Sequence, residues 1–239
     1  MLLIAVLVTL YIPGRAQAPG EVRIPLIGEH SPEFIAESTQ GTIHFPGDYF
    51  KKWKILFSHP ADFTAVCSTE ILELAALQDD FNKMGVQLVV LSTDGLNSHI
   101  EWEHSLEKID YKGRPPAKIN FPLIEDKDLS ISKQFGMIHP YSDHTRDVRG
   151  VFIIDPDDEI RAILFYPSEL GRNYDEIKRM VVGLQTADRH HVLIPADWKP
   201  GQDVMIQSPA TSAEAEKLKQ KNEKDLYDVT WYMWFRNLR

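Results

Sequence analysis

The stretch Trp53-Lys54-Ile55-Leu56-Phe57-Ser58-His59-Pro60-Ala61-Asp62-Phe63-Thr64-Ala65-Val66-Cys67-Ser68-Thr69-Glu70 changes character halfway along its length. Its first six residues are a compact apolar run that reads as a buried strand and stops at His59-Pro60. Beyond Thr64 the period becomes helical, with Ile71, Leu72, Leu74, Ala75, Leu77, Gln78 and Phe81 recurring until Gly85 stops the pattern. Val86–Ser92 then reads as a second buried strand. Cys67, the only cysteine among 239 residues, falls at the start of the helix. A lone cysteine is by default a small buried hydrophobe. Here a proline seven residues before it, a threonine three before it and a helix straight after it suggest a thiolate held at a helix start. One cysteine closes no internal disulfide, so any redox cycle has to borrow a second thiol.

Working outward, residues 22–27 read as a short strand. Residues 34–45 alternate and break at Gln40-Gly41, the pattern of a hairpin with a tight turn. Residues 97–109 predict an amphipathic helix turning Ile100, Trp102, Leu106 and Ile109 inward. Residues 121–124 read as a short strand, and residues 128–135 as a short helix closed by Gly136. Strands at 151–154 and 160–166 are joined by Asp155-Pro156-Asp157-Asp158-Glu159, a strong turn signal. Residues 174–184 form the last clear helix. Strands alternating with helices of these lengths indicate an α/β fold, a mixed central sheet covered on both faces.

The formal charge of −9, with no basic stripe interleaved with aromatics, argues against nucleic acid as a partner. One cysteine also excludes a disulfide framework and a cysteine-ligated zinc. Three segments are expected. Residues 1–18 resemble a signal peptide: an apolar run too short to span a membrane, then Ala16-Gln17-Ala18 in the small-x-small pattern of a cleavage site. No Lys or Arg precedes the run, so export to a periplasmic or extracellular space and a cytoplasmic location both stay open. Residues 19–191 form the main domain. Residues 192–239 read as an arm containing a charged helix-like stretch at 212–227 and an aromatic end, Val229-Thr230-Trp231-Tyr232-Met233-Trp234-Phe235. A patch this aromatic is normally covered, on the same subunit or on a neighbour.

The blocks Pro60-x-x-x-Thr64-x-x-Cys67, Val148-Arg149-Gly150-Val151-Phe152-Ile153-Ile154-Asp155, Gly171-Arg172-Asn173-Tyr174-Asp175-Glu176-Ile177 and Pro195-Ala196-Asp197-Trp198 together resemble the peroxiredoxins. Ser58-His59-Pro60-Ala61-Asp62-Phe63 is similar to the 1-Cys, peroxiredoxin 6-like subgroup. The resemblance runs from about Val22 to Trp198 and implies a thioredoxin-like fold and a thiol-dependent peroxidase acting on hydrogen peroxide and organic hydroperoxides. It makes Cys67 the nucleophile, Thr64 the residue that binds and orients the peroxide, Arg149 the charge that stabilises thiolate and transition state, and Pro60 the shield. Glu70, Arg172 and His59 would support them, Arg172 by contacting Glu70. No metal, haem or flavin is required. The partners implied are a peroxide, an external thiol reductant such as thioredoxin or glutathione, and further copies of the chain in a homodimer or decamer.

Two departures stand out. Ala65 and Ser68 occupy positions where the family usually has proline and threonine, mild changes that leave Pro60, Thr64 and Cys67 in place. The arm resembles that of archaeal and bacterial members, which commonly carry a further cysteine near the terminal tryptophans; residues such as Asp228, Val229 and Phe235 stand there instead. The Gly-x-Ser-x-Gly lipase signature of the mammalian members is also missing, so no phospholipase activity is carried over. His139, His144, His190 and His191 fit no standard zinc spacing and read as loop histidines. A second functional class stays open beside the peroxidase: a peroxide sensor or stress holdase switched by oxidation of Cys67.

Overall fold

The computed structural model describes residues 23–238. The segment expected to act as a signal lies outside them, and no helix among the described residues is long and apolar enough to cross a membrane. The described chain contains a seven-stranded sheet in the order β2-β1-β5-β4-β3-β6-β7. Its strands are β1 (Phe34–Ser38), β2 (Gly41–Phe45), β3 (Trp53–Ser58), β4 (Val86–Ser92), β5 (Leu123–Glu125), β6 (Arg149–Ile154) and β7 (Ile160–Tyr166). The helices of this region are α1 (Ala65–Lys83), α2 (Leu96–Leu106), α3 (Ser130–Gln134) and α4 (Tyr174–His190).

β3 lies in the interior of the sheet, parallel to β4 and antiparallel to β6. That position accounts for its unbroken apolar run, since a strand covered on both faces has no solvent side. Side chains alternate across the sheet. Ile55 and Phe57 join one core with Ile71 and Leu74 of α1, whereas Leu56 joins the opposite core with Phe135 and Phe152. The sheet is therefore mixed and packed on both faces, as expected. Residues 34–45 form the hairpin, registered Ser38 to Gly41. The turn after β6 is held by Asp155, whose Oδ1 accepts from the backbone N–H of Asp157 and Glu159. The helix before Gly136 ends as read. That glycine has φ of 63°, and a Cβ there would come within 2.6 Å of Ile24.

Four expectations change. Residues 23–26 form no strand; this segment instead meets the turn at the edge of β7, where Gly28 donates to the Ile160 carbonyl at 2.8 Å and Ile160 donates to the Glu29 carbonyl at 2.9 Å. In α2 the fully inward residues are His99, Trp102 and Leu106; Ile100 is half-buried and Ile109 lies exposed beyond the helix. A polar residue has taken the inward position for a reason found at the site. Helix α4 runs one and a half turns past the expected end, its N-terminus capped by the Asn173 side chain, which accepts from the N–H groups of Asp175 and Glu176.

The stretch 212–227 divides into α5 (Ser212–Gln220) and the start of a strand. A small sheet follows, built from β8 (Val204–Met205), β9 (Leu226–Thr230) and β10 (Met233–Arg236) in the order β8-β10-β9. Trp234 is buried there and donates through Nε1 to the Trp231 carbonyl. Val192, Trp198 and Val204 pack with Val182 of α4, so the beginning of the arm is anchored on its own subunit. Trp231 and Tyr232, at the tip of the β9–β10 hairpin, remain nearly half exposed.

Candidate active site

The site forms where β3 ends and α1 begins. The chain leaves Ser58, passes through His59–Phe63 and enters the helix at Thr64, the N-cap, in extended conformation. Phe63 adopts a left-handed φ of 54°, a conformation that costs a non-glycine residue ~1 kcal/mol or more. The kink returns the backbone so that Thr64 Oγ1 donates to the Ala61 carbonyl at 2.9 Å, and the first helical bond runs from the Ser68 N–H to the Thr64 carbonyl. Cys67 is then in the first turn of α1, where free N–H groups and the positive end of the helix favour an anion. Its side chain is buried, while Pro60, Thr64 and Val66 are half-exposed around it.

Arg149 enters from the start of β6. Its Nη1 lies 3.2 Å from Cys67 Sγ and 2.7 Å from Glu70 Oε2, and its Nη2 donates to the Ser168 carbonyl at 2.7 Å. Glu70, one helical turn beyond Cys67, also holds Arg172: Oε1 accepts from the backbone N–H and Nε of Arg172 at 2.8 and 2.9 Å, and Oε2 from Nη2 at 2.7 Å. Arg172 spends Nη1 on the carbonyls of Ser58 and Gly150 at 2.9 and 3.0 Å. One guanidinium thus ties the end of β3 to β6 and to α1. Burial pushes the Glu70 carboxyl up, but the charge and hydrogen bonds of Arg172 and the charge of Arg149 hold it below its ordinary value. With Cys67 ionised, two guanidinium groups face two anions, and the buried cluster is electrically balanced.

Burial also pushes the Cys67 thiol up, and His59, the Thr64 hydroxyl and the Ala61 backbone outweigh it, bringing the thiol from an ordinary 9.0 down to about 6. We assign the hydrogen bond on the sulfur to Arg149, because neither ring nitrogen of His59 meets hydrogen-bond geometry with any partner. His59 acts on the sulfur as a close polar neighbour.

All seven residues singled out in the sequence converge here: Cys67, Thr64, Pro60, Arg149, Glu70, Arg172 and His59. Sequence reasoning missed three other side chains, those of Ser58, Asp62 and His99. Ser58 Oγ donates to the Val148 carbonyl at 2.6 Å and accepts from the Gly150 N–H at 2.8 Å, gripping the backbone on both sides of Arg149. A Cβ on Gly150 would stand 2.8 Å from that oxygen, so glycine is required for the strands to approach. Asp62 and His99 form a buried pair, with His99 Nδ1 at 2.9 and 3.1 Å from the two carboxylate oxygens. Asp62 lies within the motif and gave no separate signal; His99 is 37 residues further on, and nothing local linked them. His59, Asp62 and His99 form the one metal-compatible group among the described residues. His99 engages both its nitrogens already, Nδ1 on Asp62 and Nε2 on the Ile124 carbonyl, which leaves a poor donor set for an ion.

The chain matches known proteins along most of its length. Residues 27–163 match the AhpC/TSA family model, and residues 183–222 match the C-terminal domain of 1-Cys peroxiredoxin. The chain is 47% identical to a peroxiredoxin of Methanosarcina mazei over 88% of its own length and 96% of the relative's. It is 43% identical to a peroxiredoxin of Thermotoga maritima, covering 91% of this chain and 100% of that one. Among solved structures it resembles a cysteine-to-serine variant of peroxiredoxin 6 from Arenicola marina, with a TM-score of 0.79 and 31% identity over 90% of this chain and 99% of the other. It also resembles a yeast mitochondrial 1-Cys peroxiredoxin studied for thiol resolution via glutathione/thioredoxin systems, with a TM-score of 0.78 and 32% identity over 90% of this chain and 100% of the other.

Proposed function

The chain belongs to the peroxiredoxin family of thiol-dependent peroxidases, and on that premise we propose that it is a 1-Cys enzyme whose single thiol, Cys67, carries the whole oxidative half-reaction. The observation that supports this most is the contact of Cys67 Sγ with Arg149 Nη1 at 3.2 Å in the first turn of α1. A thiol lowered to about 6 is mostly thiolate at neutral pH. It attacks the terminal oxygen of a hydroperoxide; an S–O bond forms, the O–O bond breaks, and the leaving oxygen departs with the electron pair and takes up a proton as water or alcohol. Arg149 stabilises charge moving from sulfur to oxygen, and a donor fixed in advance does this without reorganisation, whereas the Thr64 hydroxyl binds the peroxide by turning its proton away from the Ala61 carbonyl. Pro60 stands at the half-exposed mouth and limits solvent. Glu70 and Arg172 hold Arg149 in place.

The sulfenic acid left on Cys67 has no second cysteine to condense with. It is resolved by a low-molecular-weight or protein thiol, which forms a mixed disulfide and releases water; a second thiol then frees Cys67. Glutathione and thioredoxin, the systems associated with the yeast relative, are the reductants to try first. The exposed Tyr227, Val229, Trp231 and Tyr232 of the arm suit a homodimer contact, and a larger ring such as a decamer requires a second contact between dimers. Consumption of hydrogen peroxide with an excess of thiol tests the assignment: Cys67→Ser abolishes it while the fold survives, and full activity in that variant removes Cys67 from the reaction.

A further inference from the structure

Beside Cys67 three buried groups stand in sequence, beginning with His59. His59 is fully buried and packs against the Trp102 ring, with centroids 5.0 Å apart and the planes tilted by 36°. Its Nε2 is 3.6 Å from Asp62 Oδ1. That is too long for a hydrogen bond in the resting site and short enough to become one with a small shift of the ring. Asp62 is buried too; its backbone N–H donates to Asp94 Oδ2 at 2.8 Å, which fixes the start of the residue. Its carboxylate meets His99 Nδ1. His99 Nε2 is 3.1 Å from the carbonyl of Ile124, a group that only accepts, so that nitrogen carries a proton. The contact between Nδ1 and the carboxylate holds a second proton. The ring of His99 is therefore locked from both ends, and it locks Asp62 in turn. The charged groups around His59 are Cys67, Asp62 and His99, whose ring centroid lies 6.3 Å away, with Asp94 behind Asp62.

We propose that Asp62 and His99 are positioning residues for the peroxide reaction: His99 fixes the Asp62 carboxylate, and Asp62 holds the Nε2 proton of His59, leaving the other ring nitrogen to exchange a proton at the active site. The inference rests on Cys67 being the reacting sulfur. The proton balance is closed within the site. The Cys67 thiol gives its proton to His59 and becomes the thiolate; the thiolate forms the S–O bond as the O–O bond breaks; the imidazolium of His59 returns the same proton to the departing oxygen. The arrangement explains why a histidine occupies an inward position of α2 where the sequence pattern called for Ile100. It also explains two otherwise costly facts, the unpartnered nitrogens of a buried His59 and a carboxylate placed beside them.

The two nitrogens of His99 are separated by a pair of substitutions. His99→Asn keeps a donor near the Nδ1 position toward Asp62, whereas His99→Gln keeps one near Nε2 toward Ile124. Sulfenate formation, followed by stopped flow across pH, is expected to fall about threefold in the first and about thirtyfold in the second, within the range spanned by positioned proton transfer. Equal losses in both, or no loss in either, would mean that His99 only fills space, and the proposal is overturned. Should both variants fail to fold, nitrogen-15 spectra of the histidines in the unsubstituted protein decide: a proton on Nε2 of His59 supports the proposal, and its absence overturns it. Failure of the Cys67 assignment itself reads out separately, as peroxidase activity retained in Cys67→Ser.

Discussion

The two sides of Cys67 are built on opposite plans. On the arginine side, Glu70 receives four hydrogen bonds from Arg149 and Arg172, and Arg172 adds two more to the backbones of β3 and β6. On the histidine side, His59 makes no hydrogen bond at all through its ring. A saturated cluster resists reorganisation and serves to hold charge at a fixed point. An undersaturated ring beside a carboxylate has room to lose and regain a proton. A reaction that moves both a negative charge and a proton draws on both plans, and both groups act on the same sulfur.

Removing the charge on the saturated side is expected to cost most. Arg149→Ala lowers the rate of sulfenate formation about 10³-fold, as for loss of a preorganised donor, and Arg172→Ala, which acts through Glu70, lowers it about tenfold; stopped-flow mixing with hydrogen peroxide compares them. Equal losses would make the whole cluster one catalytic unit. Glu70→Gln leaves two buried arginines without their carboxylate and is expected to destabilise the fold by ~3 kcal/mol in denaturant titration, near the lower end for breaking a buried pair. An unchanged midpoint would mean that water enters the cluster and takes over the role of Glu70. An effect that needs no substitution comes from pH alone. The thiol is lowered to about 6, so the reactive thiolate is lost as pH falls through that value, and the rate at pH 5 should be roughly a tenth of that at pH 7. A profile still climbing toward the ordinary thiol value of 9.0 would show that neither side acts on the sulfur in the free enzyme.

The strand–loop–helix that opened the reading was legible because both of its signals are local. Continuous burial marks β3, and a change of period marks α1. Arg149 and Arg172 could be picked out only through the sequence blocks around them, since the distances that join them to Glu70 span 79 and 102 positions. His99 was hidden by the very rule that found the helices. Periodicity sorts residues by hydrophobicity, and a histidine turned inward because Asp62 pairs with it is placed on the wet face. The arm misled for a related reason. Closely spaced charges from Ser212 to Tyr227 look helical throughout, yet Leu226, Asp228 and Thr230 alternate half-buried with exposed Tyr227 and Val229, a period of two that only the pairing with β10 reveals.

The complete burial of Cys67 also sets a clock on the catalyst. A peroxide is small enough to pass Pro60 and Thr64, but the sulfur of a peptide thiol brings its whole chain with it, so under the proposed 1-Cys cycle the oxidised residue waits until the first turn of α1 opens. During that wait a second peroxide can carry the sulfenate to sulfinate, a step that ends the enzyme's working life. The average number of cycles each molecule completes before it is spent is therefore the rate of helix opening divided by the rate of arrival of the next oxidant.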